Sequence, residues 1–320
     1  MRPTIATLVA VLLAAAAPSA WAVSFSTPRE MPRHFAEARI AGPPPLAINR
    51  RGDAVIAWTG LLGADEVAVG DVAGLRPVNL PGFQGDIHAI AISPTGQALV
   101  VYDWLRTVTS DARPAYALVS RGGRAGRSQV LRMRGKVRVA AQPDGSFIAV
   151  HGTAGGFVAR RIAASGRPGA LSRLGRGSLR TFAAAPSGEI IACCRSDGAV
   201  WRYGPSRRWS AGRTARAVTS VATAAGRFHT ASKGTALVDG SGRTFTLDRP
   251  AAAGAFGTGA LVVARQNGAW GVALEQNATF TQIATLPADV AHAGIATAGS
   301  AAVLAWYDRS HRAFWSFAQP

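Results

Sequence analysis

Hydrophobic and polar residues alternate in short runs along most of this chain, and glycine-containing turns separate the runs. Alternation with a period of two is the pattern of a half-buried β-strand, so a pair of such runs around a turn predicts a β-hairpin. Seven copies of this strand–turn–strand pattern occur, the last three weaker, at 46–58, 89–102, 139–151, 182–194, 221–232, 252–264 and 294–306.

The turn glycines give the period of the repeat. From Gly52 to Gly299 there are six intervals with a mean of about 41 residues, which is the length of one four-stranded propeller blade. Glycine supplies the positive φ that a tight hairpin needs. Helical repeats of the HEAT type have a similar period, but glycine and proline interrupt almost every helix-length window here. We therefore predict an all-β chain with a single seven-bladed β-propeller; one short interval of 31 residues, before Gly257, leaves six or eight blades open.

The N-terminal region predicts two further segments. Residues 1–22 have a basic start, an apolar run and a small residue at each flank of Trp21, which is typical of a secretory signal peptide. Residues 23–42 are either a leader or a strand that closes the ring, because the seventh unit is one strand short. Residues 43–320 form the propeller. After signal cleavage we expect no membrane span.

The charge is strongly positive and unevenly distributed. The formal net charge is +18, and residues 121–216 hold 19 basic residues against Asp144, Glu189 and Asp197. Such a field attracts polyanions. The alternative is that arginine simply occupies solvated strand positions. The two cysteines, Cys193 and Cys194, are adjacent, which excludes a disulfide framework and lacks metal-site spacing; we expect no metal and no cofactor.

The turn sequence Pro-[Thr/Asp/Ser]-Gly followed by three hydrophobic residues resembles the repeats of bacterial secreted β-propellers of the TolB-like, YVTN-like and sialidase-like types. The resemblance covers about 43–317 and implies the fold rather than a function, because propellers include hydrolases, lyases, lectins and scaffolds. The nearest matches to sialidase Asp-boxes, at 196–201 and 239–245, are out of register and are explained more simply as turns. No catalytic constellation or phosphate loop was found, which favours a non-catalytic protein.

Superposing the units gives two candidate sites. The first is an anion-binding group at the start of the innermost strands, comprising His88, Arg138, Arg180, Arg249 and His292. Its alternative is that strand ends are simply solvated. The second is a ligand-binding group at the end of the next strand, comprising Trp58, Tyr102, Asp103, Trp104, Trp306, Tyr307 and Asp308. Aromatic faces beside carboxylates suit sugar rings, whereas the alternative is packing between blades.

We therefore predict a non-catalytic, secreted and monomeric binding module for an anionic or glycan polymer of the cell envelope or extracellular space. In a cell with an outer membrane this localisation would be periplasmic. The enzymatic alternative is a propeller hydrolase or lyase that acts on glycans. A third alternative is a protein-interaction scaffold whose partner is another envelope protein.

Overall fold

The structure is a computed structural model in which every element of the described residues is a β-strand. The described residues are 23–31, 42–59, 65–105, 113–133, 137–153, 156–175, 179, 181–185, 187–193, 199–204, 206–213, 219–222, 228–232, 236–238, 244–246, 249–257, 259–266, 268–276 and 279–319. They form seven antiparallel sheets that follow one another along the chain. We name the sheets blades 1 to 7.

Each of the first six blades has four strands, with the first strand innermost. Blades 1 to 3 consist of β3 (Leu46–Ile48), β4 (Ala54–Thr59), β5 (Asp65–Asp71), β6 (Gly74–Val78), β7 (Phe83–Ile92), β8 (Ala98–Leu105), β9 (Arg113–Val119), β10 (Gln129–Val130), β11 (Val137–Ala141), β12 (Phe147–Thr153), β13 (Gly156–Ile162) and β14 (Pro168–Gly175). Blades 4 to 6 consist of β15 (Thr181–Ala184), β16 (Ile190–Cys193), β17 (Ala199–Tyr203), β18 (Trp209–Arg213), β19 (Thr219–Ala222), β20 (Phe228–Ser232), β21 (Ala236–Val238), β22 (Thr244–Thr246), β23 (Arg249–Phe256), β24 (Gly259–Gln266), β25 (Ala269–Gln276) and β26 (Thr279–Thr285).

Blade 7 contains strands from both ends of the described chain. Its three C-terminal strands are β27 (Val290–Ala298), β28 (Ala301–Asp308) and β29 (Ala313–Gln319). The two short N-terminal strands, β1 (Ser24–Phe25) and β2 (Arg29–Glu30), both pair antiparallel with β29. The register places Ser24 opposite Gln319 and Arg29 opposite Trp315. The N-terminal segment thus forms the outermost layer of the last blade and covers the free edge of β29.

The blades pack into a closed ring. The innermost strand of blade 1, β3, contacts β27 of blade 7 on one side and β7 of blade 2 on the other. Further along the ring β7 contacts β11, blades 3 and 4 share a hydrophobic cluster that includes Val150 and Ile190, β15 contacts β19, and β19 contacts β23, which contacts β27. The predicted all-β propeller is therefore confirmed, and the described residues form seven blades.

The hydrophobic core is divided into clusters that lie between neighbouring blades. One cluster joins blades 1 and 2 through Val55, Val69 and Tyr102. Another joins blades 7 and 1 and includes Met31 from the N-terminal segment. Successive strand residues point to opposite faces of a sheet, so the two apolar faces of one blade supply two different clusters.

The hairpins between the first and second strands share one turn geometry. In blade 1 the backbone amide of Asn49 donates a hydrogen bond to the backbone carbonyl of Asp53, and the backbone amide of Gly52 donates one to the backbone carbonyl of Asn49. The same pair of bonds recurs in blades 2, 3 and 4, where the residue at the Gly52 position is again glycine with φ between 79° and 88°. The positive φ favours glycine at this position, and at Gly96 a Cβ would in addition lie 2.8 Å from Asp53 Oδ2. The proline–glycine turns are thus formed as predicted.

Within the described part of the chain, no helix has the length and apolarity to cross a bilayer.

Candidate functional site

The antiparallel topology gives the ring two distinct faces. Turns between the first and second strands and between the third and fourth strands lie together on one side, which we call the hairpin face. Connections between the second and third strands and between consecutive blades lie on the other, which we call the loop face. The described members of both predicted groups lie in the part of a first or second strand that is nearest the loop face.

Most of the predicted aromatic group is buried. Trp58, Tyr102, Trp306 and Tyr307 are each at most 2% exposed and lie in the clusters between blades. The Tyr102 hydroxyl contacts the Pro81 carbonyl and Ser128 Oγ, 3.2 and 2.5 Å away, so its polar atom is also partnered inside the protein. The expectation that these rings present one face to a ligand is therefore wrong for these four side chains: they fill the space between blades, where large apolar groups are most stable.

The two carboxylates of that group differ in their surroundings. Asp308 is 1% exposed and closes the turn after β28, where Arg312 donates to it from its backbone amide and from Nε, each at 2.8 Å. Asp103 is half-buried, and its Oδ1 lies 2.7 Å from His88 Nε2. Asp308 thus has a structural role, while Asp103 contacts His88, a member of the predicted anion-binding group.

His88 and Asp103 lie at an irregular part of blade 2, together with half-buried Trp104. The register between β7 and β8 shifts on both sides of Ile87, and a β-bulge redirects the side chains next to it. Asp65 Oδ2 of blade 1 accepts a hydrogen bond from the backbone amide of Ile87 at 2.6 Å and so helps to hold the bulge. A carboxylate bonded to one imidazole nitrogen orients the ring and leaves the other nitrogen for a second partner.

The predicted anion-binding group is only partly described. Arg138 is exposed, and partial desolvation by the surrounding protein lowers its pKa. His292 is half-buried; burial lowers its pKa, and nearby His311 lowers it further. Arg249 lies in β23 but its side chain is outside the described part of the structure, and Arg180 lies outside the described residues. None of the hydrogen bonds or ion pairs between described residues joins two members of this group, which remains a prediction.

A cavity of about 350 Å³ occupies the central channel and is bordered by the first strands of blades 1, 2, 3, 4, 6 and 7. Its walls carry mainly small and aliphatic side chains, such as Ala47, Ile90, Ala183 and Ala296, and none of its described lining residues is charged. The channel itself is therefore not where the positive charge of the chain accumulates.

The hairpin face contains a charged network that sequence reasoning did not identify. Asp53 is 2% exposed and accepts hydrogen bonds from Asn49 Nδ2 at 2.9 Å, Arg51 Nη2 at 2.9 Å and Arg121 Nε at 2.6 Å. Burial alone would raise the pKa of Asp53, but these hydrogen bonds outweigh burial and lower the pKa. Asn49 also donates to the Ser93 carbonyl of blade 2 at 3.0 Å. The network therefore joins blades 1 and 2.

A second network repeats this arrangement between blades 3 and 4. Asp144 pairs with Arg161 of its own blade and with Arg207 of blade 4, at 3.2 Å for the latter. Burial would raise the pKa of Asp144, whereas hydrogen bonds from Ser146 and the two guanidinium charges lower it. In both networks the aspartate of one first-to-second-strand hairpin holds an arginine from the next blade.

Other arginines of the hairpin face are exposed and are not held in this way. Arg50 and Arg127 are two of them, and three more lie in third-to-fourth-strand turns, namely Arg124, Arg167 and Arg208 in blades 2, 3 and 4. Among the described residues their side chains make no hydrogen bond or ion pair. The charge excess of 121–216 was the sequence signal for this surface, but sequence alone did not indicate which arginines are paired.

Titratable groups elsewhere do not form an obvious metal centre. Within the described ranges, no three His, Cys, Asp or Glu side chains are grouped so that they could hold a metal ion. Cys193 ends β16, and the side chains of Cys193 and Cys194 lie outside the described part.

The chain matches no known protein family and no curated protein. It is similar in structure to several solved β-propellers. Virginiamycin B lyase from Staphylococcus aureus superposes with a TM-score of 0.63 at 13% identity, over 93% of this chain and 100% of that chain. The Swd1 propeller domain of Myceliophteria thermophila gives 0.60 at 12%, over 90% and 100%. YCF48 bound to D1 peptide gives 0.61 at 13%, over 92% and 96%. At these identities the likeness shows the fold alone.

Proposed function

We propose that this protein is an exported, non-catalytic binding module whose ligand is an anionic polymer, and that the hairpin face of blades 1 to 4 is the binding surface. The observation that carries the proposal is the state of the charges there. The acidic side chains nearest the arginines are already neutralised, and the guanidinium groups of Arg124, Arg167 and Arg208 are exposed without an ion pair among the described residues.

The described hairpins of blades 1 to 4, together with Arg161 beside them, contain more than twice as many arginines as carboxylates. The arginines are Arg50, Arg51, Arg121, Arg124, Arg127, Arg161, Arg167, Arg207 and Arg208, and the carboxylates are Asp53, Asp71, Asp144 and Glu189. A surface of one charge sign raises the local concentration of an oppositely charged ligand and accelerates its association. Recognition of a polymer through charge does not require the buried aromatic rings.

The structural neighbours are consistent with a binding role but do not choose among functions. They include a lyase, a protein named as a propeller domain and a protein bound to a peptide. The proposed export rests on the signal-peptide pattern of residues 1–22, and an extracellular or cell-envelope polymer is the class of polyanion that an exported protein would meet. The proposed partner is therefore a polyanion, and stacking on sugar rings is not part of the proposal.

The experiment is a salt titration of binding. Purified protein is titrated with fluorescently labelled heparin and with long-chain polyphosphate by fluorescence anisotropy. The logarithm of the association constant should fall linearly with the logarithm of salt concentration, with a slope of about 0.7 or more for each phosphate-type contact. The polymer should be recovered with unchanged length. Binding that is absent at low salt, or shortening of the polymer by the protein, would reject the proposal.

A further inference from the structure

Arg124, Arg167 and Arg208 occupy the same position of the same turn. In blade 2 the hairpin between the third and fourth strands runs from Ser120 to Arg124, where the Ser120 amide donates to the Arg124 carbonyl at 2.9 Å. The Gly123 amide donates back to the Ser120 carbonyl at 2.9 Å. The fifth residue of the turn is therefore Arg124, the first residue on the returning chain.

Blades 3 and 4 reproduce this turn. In blade 3 the Ala163 amide donates to the Arg167 carbonyl, and in blade 4 the Gly204 amide donates to the Arg208 carbonyl. The backbone amide of the fourth turn residue donates to the carbonyl of the first in both blades, from Gly166 to Ala163 at 2.8 Å and from Arg207 to Gly204 at 2.9 Å. Three consecutive blades thus present an arginine from equivalent backbone positions, although the turn sequences otherwise differ.

The fourth residue of the turn separates blade 4 from the other two. It is Gly123 or Gly166 in blades 2 and 3, with φ of 85° and 86°, and Arg207 in blade 4, with φ of 57°. A side chain in this left-handed region costs about 1–2 kcal/mol. Blade 4 therefore places a second arginine where glycine would be less strained, and local strain of this kind is common at functional sites.

The arginines that are held by an aspartate connect neighbouring blades, whereas the exposed arginines are available to a ligand. Arg121 and Arg207 each bind an aspartate of the preceding blade, which fixes the hairpins relative to one another. Arg124 and Arg208 lie next in the same hairpins and are not held. Arg124 and Arg208 are thus carried on hairpins that a held arginine fixes to the preceding blade. Arg167 is carried on the hairpin that follows Arg161, which pairs with Asp144 of the same blade.

We infer that Arg124, Arg167 and Arg208 form one extended site for a linear polymer of phosphate groups. This inference rests on the proposed function. Sheets that pack face to face lie about 10 Å apart, and blades diverge outward from the channel, so the three hairpins span more than about 20 Å. No single small anion can contact all three, whereas a chain with a charge on every repeat can.

A linear polymer of phosphate groups suits this site because it has a charge on every repeat and does not depend on ring stacking. Arginine binds phosphate oxygens in a two-pronged fashion through its planar fork. The rings Trp58, Tyr102, Trp306 and Tyr307, which would have stacked on sugar units, are buried between blades. Contacts distributed over linked groups raise affinity because each further contact is intramolecular.

The test compares orthophosphate, tripolyphosphate and long-chain polyphosphate, with heparin as the sulfated and carboxylated alternative. Long-chain polyphosphate should bind at least about tenfold more tightly than tripolyphosphate on a whole-molecule basis. The triple variant R124Q/R167Q/R208Q should bind long-chain polyphosphate about tenfold or more weakly and should lower the salt slope by about 2. The triple variant R124K/R167K/R208K, which keeps the charge, should restore the slope but only part of the affinity.

The matched control is R113Q/R265Q/R309Q, which removes the same charge from three exposed arginines of the loop face. It should leave binding within about twofold of wild type. If neither polyphosphate nor heparin binds, the proposed function fails. Two results would keep the proposed function and reject the three-arginine site. In the first, polyphosphate binds but R124Q/R167Q/R208Q and R113Q/R265Q/R309Q weaken its binding equally. In the second, tripolyphosphate binds as tightly as the long chain. Tighter binding of heparin than of polyphosphate would reject the phosphate assignment. Equal melting temperatures of all variants show that the changes are not due to unfolding.

Discussion

The two faces of the ring use their polar residues differently. Among the described residues of the loop face in blades 7, 1 and 2, carboxylates such as Asp103 and Asp308 exceed the arginines, and each of these two is engaged with a neighbouring side chain. On the hairpin face of blades 1 to 4, arginines exceed carboxylates and some remain unpaired among the described residues. The two faces therefore differ in how far their polar residues are paired locally, and the proposed binding surface is the face that keeps unpaired arginines among the described residues.

The largest expected effect on stability comes from Trp58, an aromatic residue that the sequence analysis assigned to a ligand-binding group. Trp58→Ala removes a fully buried side chain from the cluster between blades 7 and 1 and should lower the free energy of unfolding by about 3–5 kcal/mol. Trp104→Ala, at a half-buried position of the same face, should cost less than half as much. Chemical denaturation of both variants measures the difference. Equal and small losses would mean that Trp58 is exposed and the seam is packed differently.

The next effect compares the two aspartate networks of the hairpin face. Asp53→Ala leaves Asn49 Nδ2 without its carboxylate partner inside the protein and releases Arg51 and Arg121, so we expect a loss of about 2 kcal/mol. Asp144→Ala breaks more exposed pairs and should cost about 1 kcal/mol or less. Urea denaturation of the two variants gives both values. A larger loss for Asp144→Ala would reverse the ranking of the two networks.

Acid should weaken both networks in the same pH range. The folded-state pKa values of Asp53 and Asp144 are lowered, so their charged forms stabilise the fold above the unfolded-state pKa of about 3.9. This contribution is complete at neutral pH and is lost as the pH falls below about 4 through the folded-state values. Between pH 6 and pH 2 the melting temperature should fall less steeply with pH for Asp53→Asn than for the wild type. Parallel curves would show that Asp53 does not titrate with unfolding.

The smallest effect concerns the strained turn of blade 4. Arg207→Gly relieves the strain of a left-handed backbone conformation at a residue with a side chain, and it removes an exposed ion pair, while Asp144 keeps its pair with Arg161. The free energy of unfolding should therefore rise by about 0.5 kcal/mol. The reciprocal change Gly166→Arg in blade 3 should make unfolding easier by about 1 kcal/mol. Thermal melting compares them. A marked loss of stability in Arg207→Gly would mean that its pair with Asp144 outweighs the strain.

The fold was predictable because its signals are local and repeated. The alternation around Gly52, Gly96, Gly145 and Gly188 determines a hairpin wherever it occurs, and the period of about 41 residues determines how many strands separate the hairpins. The missing strand of the seventh unit was a counting argument of the same kind. These inferences need no knowledge of which side chains meet across blades.

The site was less predictable because it depends on contacts between blades. Trp58 and Trp104 both end the second strand of a unit, yet one is buried and the other half-buried, and the neighbouring blade decides which. Arg121 and Arg124 are three residues apart in one turn, yet only Arg121 reaches Asp53, which lies 68 positions away in sequence. Charge counting located the basic region, but pairing across blades selects the arginines available to a ligand.

The most direct test of the central claim is a map of which arginines a bound polyanion protects. The protein is treated with phenylglyoxal, which modifies accessible arginines, with and without saturating long-chain polyphosphate, and the modified positions are read by peptide mass spectrometry. We predict strong protection of Arg124, Arg167 and Arg208 and unchanged modification of Arg113, Arg265 and Arg309. Protection confined to the loop face, or equal protection of both sets, would contradict the assignment of the binding surface to the hairpin face.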